Sequence, residues 1–315
     1  MARKAGRFNL IVVPLDGTHW AEHALPGAAA IARGAKAKLR LVLVHQLPPP
    51  PTDRESLKIY TSLEVAVRRS QRAYLREVAT RLREGWGIQV TSVSPDGPVG
   101  PTLIRYLSEV GADLVVMATH GRGALGRALL GSVADHVVRT ADIPVMLVRP
   151  PGEAPPPPES AWSAPEILVP LDGSALAEVA LEPAADLARL LGSRLSLVQV
   201  IVPLATATDP PLPFPSGYDE HLTGIRRREA QDYLDSVAER LREGGLTVGA
   251  AAVVATTPAG ALLELARPGR AGLVVIASHG AGGLRRLALG SVADKLVRAA
   301  DVPVVVVRAG KKKRV

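Results

Sequence analysis

Two glycine-rich loops carry the residues whose types and spacing suit phosphate binding. In the first loop, residues 118–121 read Ala-Thr-His-Gly and are followed, after nine residues, by Gly131-Ser132. In the second, residues 277–280 read Ala-Ser-His-Gly and are followed, after nine residues, by Gly290-Ser291. Each loop precedes a predicted helix, whose N-terminus offers unpaired N–H groups and the positive end of a dipole. Because glycine lets a ligand approach the backbone closely, this arrangement indicates a phosphate seat that occurs twice.

Further glycines and arginines in the loops favour the same interpretation. The glycines are Gly121, Gly123, Gly126 and Gly131 in the first loop and Gly280, Gly282, Gly283 and Gly290 in the second. Arg122 and Arg127, or Arg285 and Arg286, are available to offset phosphate charge. The alternative is a surface loop with solvated arginines. We favour phosphate binding because Gly-Ser then opens a helix in both copies.

One aspartate stands just past the first predicted strand of each copy, Asp16 in the first and Asp172 in the second. A carboxylate at the end of a strand can accept hydrogen bonds from ribose hydroxyls. It can equally cap the following helix, for Asp16 together with Thr18. The residue types alone leave both roles open.

The histidines beside the loops, His120 and His279, are candidates for catalysis, but neither has an acidic orienter or a nucleophile in fixed relation to it in the sequence. A structural or ligand-lining role is therefore the better prediction. The patterns G-x-x-x-x-G-K-[ST] and H-E-x-x-H are absent. The sequence predicts a protein that holds a nucleotide, with no catalytic residue and no metal ligand set.

Internal repetition indicates how the chain positions these residues. Residues 13–18 recur as 169–174, and residues 141–145 recur as 300–304. We therefore predict one domain over residues 1–150, a stiff Pro-rich linker over 151–164, a second domain over 165–310 and a basic tail over 311–315. Domains of about 150 residues are of common size.

Strands alternate with helices in each copy, which predicts a parallel sheet with helices on both faces. The predicted strands of the first copy are 10–15, 39–45, 88–93, 114–118 and 144–148. Its predicted helices run from Thr18 to about 33, with Gly34 ending the helix, and over 63–84, 101–110 and 132–140. Strands two to four of the second copy are predicted at 194–202, 247–254 and 273–277. If strands one and four are neighbours, the aspartate and the loop face one crevice.

Composition limits the compartment and the partners. The chain has no cysteine, and its longest apolar runs are well below the ~20 residues of a membrane span. The apolar run at 10–15 recurs in mid-chain, so we interpret it as a strand rather than a signal sequence and expect a cytoplasmic protein without membrane contact. The net charge of +8 is dispersed and aromatic residues make up 3%, which disfavours nucleic acid as a partner.

These motifs together resemble the universal stress protein family, in a tandem two-domain form of its ATP-binding branch. The family pattern is G-x-x-G, nine residues, then G-[ST], with P-x-D at the end of a strand. The resemblance implies two doubly wound α/β domains, each a five-stranded parallel sheet in the order 3-2-1-4-5. It also implies one ATP per domain, with Mg²⁺ as an optional companion.

The resemblance assigns roles by position. In the first copy the residues implied to line the nucleotide are Pro14, Asp16, Gln46, Met117, Ala118, Gly121, Gly131, Ser132 and Val133. In the second copy they are Pro170, Asp172, Val200, Ile276, Ala277, Gly280, Gly290, Ser291 and Val292. Two departures from the pattern predict weaker binding: alanine replaces the first glycine at Ala118 and Ala277, and Gln46 replaces an apolar adenine contact. The second site is the closer to the family pattern.

The function expected from this resemblance is nucleotide-dependent regulation of a stress response, with at most slow ATP hydrolysis because no general base or phosphate-directed lysine is evident. The alternative is a dimerising interaction scaffold with weak or vestigial sites. An ATP-using transferase is disfavoured because the HIGH and SGGxDS motifs are absent. For assembly, the apolar fifth strands at 145–148 and 304–307 predict pairing of the two domains and a homodimer.

Overall fold

The structure is a computed structural model that describes residues 8–119, 130–150, 162–203, 219–279 and 289–308. It divides into two compact units, Met1–Ser163 and Ala164–Val315. Within the described residues, no helix has the length and apolar character needed to cross a membrane. His120, Gly121, Gly280, the loop arginines, the other glycines inside the loops and the basic tail lie outside the described residues.

The first unit is a parallel sheet with helices in the connections. Its strands are β1 (Leu10–Pro14), β2 (Lys38–Val42), β3 (Val90–Val93), β4 (Leu114–Ala118) and β5 (Val145–Val148). Its helices are α1 (His19–Glu22), α2 (Leu25–Ala35), α3 (Arg54–Trp86), α4 (Val99–Glu109) and α5 (Ser132–Thr140). The strands pair in the order β3-β2-β1-β4-β5, and every pair is parallel.

The second unit repeats this topology. Its strands are β6 (Glu166–Pro170), β7 (Arg194–Ile201), β8 (Val248–Val254), β9 (Leu273–Ala277) and β10 (Val304–Val307). Its helices are α6 (Leu181–Leu191), α7 (Glu220–Glu243), α8 (Pro258–Leu265) and α9 (Ser291–Ala299), with a 3₁₀ turn at Ala177–Ala180. The order β8-β7-β6-β9-β10 is again parallel throughout. The predicted α/β fold and the order 3-2-1-4-5 are confirmed in both units.

The central strands are apolar along their whole length because helices cover both faces of each sheet. Every residue of β4 and of β9 is buried. In the first unit α2 packs with α3, and α4 packs with α5. A continuous apolar run without alternation is the expected pattern of a parallel strand covered on both faces.

The predicted helix after β1 needs correction. The helix is interrupted between Glu22 and Leu25, so the single predicted helix is observed as two helices, α1 and α2. Gly34 lies inside α2, and Lys36 ends that helix in the left-handed conformation with φ 53°. The N–H of Ala37 donates to the carbonyl of Ala32 at 2.9 Å, so the helix end is satisfied although its last residue is not glycine.

The prediction for α3 was too short at its N-terminal end. The helix begins at Arg54, and the side chain of Asp53 caps it by accepting a hydrogen bond from the N–H of Ser56 at 2.8 Å. The first turns carry apolar side chains that face solvent, including Ile59 at 68% and Leu63 at 54% exposure. These side chains hide the amphipathic period by which a helix is recognised.

Candidate functional site

Strand pairing brings the two predicted halves of each site to the same edge of the sheet. In the first unit β1 pairs with β4, so that Ile11 lies opposite Leu114. In the second unit β6 pairs with β9, and Ile167 lies opposite Leu273. Because parallel strands end at one edge, the aspartate after the first strand and the loop after the fourth meet there.

The two ends of each glycine-rich loop are joined by a backbone hydrogen bond. Gly290 N–H donates to Ser278 carbonyl oxygen at 2.7 Å, and Gly131 N–H donates to Thr119 carbonyl oxygen at 2.8 Å. A methyl group on Gly290 would lie 3.2 Å from the carbonyl oxygen of Ser278, so a larger residue fits here only if the backbone shifts by a few tenths of an ångström. The bond places the start of the following helix directly beside the end of the strand.

Glycine also determines what the helix N-terminus can bind. Gly131 and Gly290 are the N-cap residues of α5 and α9, and a glycine has no side chain with which to cap the first turn. The N–H groups of that turn, which begins with Ser132 or Ser291, therefore suit an anionic acceptor.

A cavity of about 340 Å³ opens at this edge of the second unit. Eight of the nine residues that the family pattern assigns to the second copy line it, and the ninth, Gly280, is outside the described residues. The eight are Pro170, Asp172, Val200, Ile276, Ala277, Gly290, Ser291 and Val292. The cavity therefore lies among the residues that the family pattern assigns to the second copy.

Several residues that line the cavity were missed by the sequence analysis. Val198 lies two residues before Val200 on the same face of β7, so the period of a strand could have identified it. Pro258 and Leu262 come from the start of α8, four residues apart on one helical face. No motif marks them, because only the fold brings α8 to this edge.

Asp172 serves the turn after β6 and lines the cavity at the same time. Its Oδ1 accepts hydrogen bonds from Ser174 N–H at 3.0 Å and from Ser174 hydroxyl at 2.6 Å. Ser174 Oγ in turn accepts from Ala177 N–H at 3.2 Å. The capping role that the sequence left open is therefore present, and it engages Oδ1 of a carboxylate that also faces the cavity.

Asp16 makes the same turn in the first unit. Its Oδ1 accepts from Thr18 N–H at 2.9 Å and from Thr18 hydroxyl at 2.6 Å. The hydroxyl of Thr18 caps α1 by accepting from Ala21 N–H at 3.4 Å. The duplicated hydrogen bonds show that the two turns are built alike.

His279 contributes a buried polar atom to the wall of the cavity. Its Nδ1 lies 3.0 Å from Ser278 Oγ. Its Nε2 is buried and has no hydrogen-bond partner among the described residues. A buried polar group without a partner costs about 1–3 kcal/mol, so this nitrogen is suited to a polar ligand atom that would complete it.

In the first unit the described site residues occupy the matching positions. Pro14 ends β1, the buried Met117 and Ala118 end β4, and Gly131, Ser132 and Val133 open α5. His120 and Gly121 cannot be placed, since they lie outside the described residues.

The register of β2 reassigns one residue of the first site. Val42 lies opposite Pro14, and Val198 lies opposite Pro170, so the counterpart of Val200 is Val44, two residues before Gln46. Gln46 is exposed, and its side-chain oxygen accepts from Val99 N–H at 3.1 Å at the start of α4. The sequence analysis placed Gln46 by its position after the predicted strand 39–45, whereas regular pairing ends at Val42 and His45 forms only an isolated bridge with Asp96.

A tyrosine, a glutamate and an arginine connect the long helix of each unit to the segment after the site aspartate. In the second unit Tyr233 hydroxyl donates to Glu178 Oε1 at 3.0 Å, and Arg240 lies 3.3 Å from Glu178 Oε2. Burial, followed by the hydrogen bond to Glu178, raises the pKa of Tyr233. The sequence analysis missed this group because α7 and the 3₁₀ turn are far apart in the chain.

The first unit contains the same group. Arg81 pairs with Glu22 of α1, and Tyr74 lies beside them. Burial, followed by the charge of Glu22, raises the pKa of Tyr74. Both tyrosines also feel the negative charge of the site aspartate of their own unit, which links the long helix electrostatically to the cavity edge.

The sequence of the chain is similar to sequences of known proteins over most of its length. The profile of the Universal stress protein family matches residues 7–149 and 165–308. A universal stress protein of Mycobacterium tuberculosis (strain H37Rv) is 32% identical over 319 aligned positions, which cover 95% of this chain and 94% of that protein. A second universal stress protein of the same strain is 35% identical over 211 residues, which cover 66% of this chain but 65% of that relative's own length.

Solved structures are similar in fold. A universal stress protein from Archaeoglobus fulgidus superposes with a TM-score of 0.66 at 21% identity, covering 96% of this chain and 99% of that one. At this identity the similarity supports the fold alone.

Proposed function

Because the chain belongs to the universal stress protein family, we propose that it binds one ATP in each unit and acts as a nucleotide-dependent regulator of a stress response. The observation that carries the proposal is the cavity of about 340 Å³ in the second unit. Its volume falls within the ~300–1,000 Å³ of typical ligand pockets. The residues of the family pattern converge on it from four separate segments of the chain.

The chemistry of the cavity wall fits the three parts of an adenine nucleotide. Val198, Val200 and Ile276 supply the apolar surface that an adenine ring requires. Asp172 supplies a carboxylate for ribose hydroxyls, and the start of α9 at Ser291 supplies backbone N–H groups for phosphates. The buried Nε2 of His279 is a further polar atom suited to the ligand.

The two sites are more alike than the sequence suggested. By register Val44, rather than Gln46, corresponds to Val200, so we infer a valine at this point of both sites. The remaining departure from the family pattern is the methyl group of Ala118 and Ala277. Because it stands where the backbone approaches the ligand, it weakens binding in both sites.

Binding without rapid turnover fits the groups present. Within the described ranges, no cluster of three or more His, Asp or Glu side chains is arranged to hold a metal ion. Mg²⁺ would therefore arrive with the phosphates of ATP. Hydrolysis would be slow at most, because the sequence has no G-x-x-x-x-G-K-[ST] pattern to place a lysine on the phosphates.

Release of bound ligand from the purified protein tests the proposal directly. Heating the protein and identifying the released molecules by mass spectrometry should yield an adenine nucleotide. Calorimetric titration of nucleotide-free protein with ATP should then show two binding events per chain. If no nucleotide is released and ATP gives no heat of binding, the proposal is wrong.

The alternative is a dimerising scaffold with vestigial sites, which Ala118 and Ala277 motivate. Pairing of the two domains through their fifth strands and a homodimer remain predictions. Light scattering with and without ATP distinguishes the alternatives, because a scaffold would dimerise regardless of nucleotide. A regulator would bind ATP and change its oligomeric state or its stability in response.

A further inference from the structure

The first unit contains a cavity between α3 and the edge strand β3. Its lining differs from that of the nucleotide site described above. It has a volume of about 630 Å³. Among the residues that line it are Arg68, Arg69, Arg72 and Arg76 on α3, Ser92 on β3 and Ser94 just after that strand. We call it the arginine groove.

Three arginines give the groove its charge. Arg68 is already neutralised, since it pairs with Glu64 at 3.0 Å and with Asp96 at 2.7 Å. Arg69, Arg72 and Arg76 are exposed, and no carboxylate in the described part of the chain pairs with them. The groove therefore presents three uncompensated cations along one helix.

The opposite wall presents backbone groups in the arrangement of a strand edge. Leu39 and Leu43 of the β2 segment donate to the carbonyls of Gln89 and Val93, so odd-numbered residues of the β3 segment face β2. Ser92 and Ser94 consequently direct their backbone groups outward. Among the described residues, no group bonds to Ser92 carbonyl oxygen or Ser94 N–H.

The second unit shows what closes this edge elsewhere in the chain. Gln231 of α7 donates from Nε2 to Ala250 carbonyl oxygen at 3.3 Å and accepts at Oε1 from Ala252 N–H at 2.9 Å. One side-chain amide thus satisfies both a donor and an acceptor of β8, as a neighbouring strand would.

The counterpart of Gln231 in the first unit is Arg72. Tyr74 and Tyr233 occupy equivalent places, two residues further along their helices. The strand registers likewise equate Ser92 with Ala250 and Ser94 with Ala252. A guanidinium has no acceptor atom and cannot receive the N–H of Ser94, so the edge that Gln231 covers in the second unit is left open in the first.

We propose that the arginine groove binds an extended acidic peptide segment of a partner protein. The peptide would pair with the edge of β3 through Ser92 and Ser94, and its carboxylates would meet Arg69, Arg72 and Arg76. The spacings agree: Arg72 and Arg76 are ~6 Å apart along a helix, and side chains on one face of a strand are ~7 Å apart. A simple anion would use the arginines but would leave the strand edge unpaired.

A synthetic peptide tests the proposal on the intact chain. The probe is a fluorescein-labelled peptide that alternates glutamate with valine, and its control carries glutamine in place of glutamate. Fluorescence anisotropy should show binding of the glutamate peptide that weakens with salt, and hydrogen exchange should show protection of Ser94 N–H. Binding of both peptides with equal affinity, or binding of neither, overturns the proposal.

The substitution Arg72→Gln gives the first unit the side-chain amide that Gln231 supplies in the second, and it should therefore cover the open edge of β3. We expect it to lower the affinity for the glutamate peptide roughly tenfold or more while thermal stability is retained. Arg105→Gln removes the same charge from an exposed position on α4 and should leave binding unchanged. If Arg72→Gln fails to fold, the double variant Arg69→Gln/Arg76→Gln tests the other two charges of the groove without touching the edge contact.

Inorganic polyphosphate separates a peptide groove from a simple anion site. It should compete with the peptide through the arginines without protecting Ser94 N–H. If the peptide itself gives no protection of Ser94 and polyphosphate displaces it fully, the groove is an anion site and the proposed strand pairing is wrong.

Discussion

Gly290 donates its backbone N–H to the carbonyl oxygen of Ser278 at 2.7 Å, and this bond closes the loop that the sequence marked as a phosphate seat. Its twin joins Gly131 to Thr119 at 2.8 Å. The nine-residue spacing of the motif therefore has a structural meaning. The residue at the far end of the spacer returns to the residue that follows the strand, and the helix begins at that point.

The close approach at Gly290 predicts the effect of a single methyl group. Gly290→Ala would place Cβ 3.2 Å from the oxygen of Ser278, and alanine is also a poorer N-cap residue than glycine, whereas φ of −60° is open to alanine. We expect a loss of roughly 1–3 kcal/mol in the free energy of unfolding, with weaker ATP binding. Urea denaturation and calorimetry measure the two effects.

Gly85→Ala is the matched control for that substitution. Gly85 lies in α3, and a Cβ there would meet nothing within 4 Å. This change should stabilise the protein by up to about 1 kcal/mol through helix propensity. If both substitutions have the same sign, the steric explanation for Gly290 is incorrect.

The two roles of Asp172 can be separated by choosing the replacement. Asparagine keeps an acceptor for Ser174, so Asp172→Asn should retain the turn and thermal stability but lower ATP affinity through the lost charge. Asp172→Ala should in addition lose about 1 kcal/mol of stability. Differential scanning calorimetry with and without ATP distinguishes these outcomes.

Asp232→Ala serves as the control, because it removes an exposed carboxylate from α7. It should leave ATP affinity unchanged and should not lower the melting temperature, because alanine is a better helix former than aspartate. Unchanged ATP binding by Asp172→Ala, on the other hand, would rule out the proposed second site.

His279 predicts a conflict between stability and binding. His279→Asn removes the buried Nε2, which no described residue satisfies, and keeps a polar atom near Nδ1 for the contact with Ser278 Oγ, so the nucleotide-free protein should gain up to about 1 kcal/mol. The same change should weaken ATP binding, because the cavity loses a polar atom. Chemical denaturation of the free protein and titration with ATP give the two numbers. A loss of stability with unchanged affinity would show that the histidine has a structural role.

Alkaline pH should weaken both units through Tyr74 and Tyr233. Burial, as the main cause, raises the pKa of each above the usual tyrosine value of ~10. A raised pKa stabilises the fold fully below the unfolded value of ~10. As pH rises above ~10, the unfolded chain loses the proton first and the free energy of unfolding falls.

Urea denaturation at about pH 9 and about pH 11 measures this dependence. Tyr233→Phe removes the ionisable hydroxyl together with its bond to Glu178, so stability should fall at the lower pH and depend less on pH. Tyr60→Phe, which removes a hydroxyl that donates to Pro48 carbonyl oxygen, is the comparison for loss of a tyrosine hydrogen bond outside these two groups. A wild-type slope in Tyr233→Phe would contradict the assignment.

Sequence reasoning succeeded where one residue pattern has one physical cause. Strand 114–118 and helix 132–140 were predicted with the bounds observed, because a continuous apolar run and a Gly-Ser helix start are local signals. It failed at the start of α3, where Ile59 and Leu63 face solvent and break the helical period. It also misplaced Gln46, because the end of regular pairing at Val42 depends on a neighbouring strand rather than on β2 itself.

The residues that line the cavity likewise divide into those that the sequence could locate and those that only the packing of the fold brings there. Val200 and Ile276 lie at strand ends that could be located from the sequence, whereas Leu262 reaches the cavity through the packing of α8. The group formed by Tyr233, Glu178 and Arg240 requires contact between segments more than fifty residues apart. Such contacts leave no mark in local composition.

The pairing of first and fourth strands also has a consequence for synthesis of the chain. β6 and β9 can pair only after the chain has been synthesised as far as Leu273, the partner of Ile167. In the same way, β1 and β4 can pair only after Leu114, the partner of Ile11, has been synthesised. Contacts so distant along the chain form late in folding, since a long loop must close first. On a ribosome, each cavity edge can be completed only after most of its own unit has emerged. A nucleotide held there would therefore be acquired only by a unit whose folding is nearly finished.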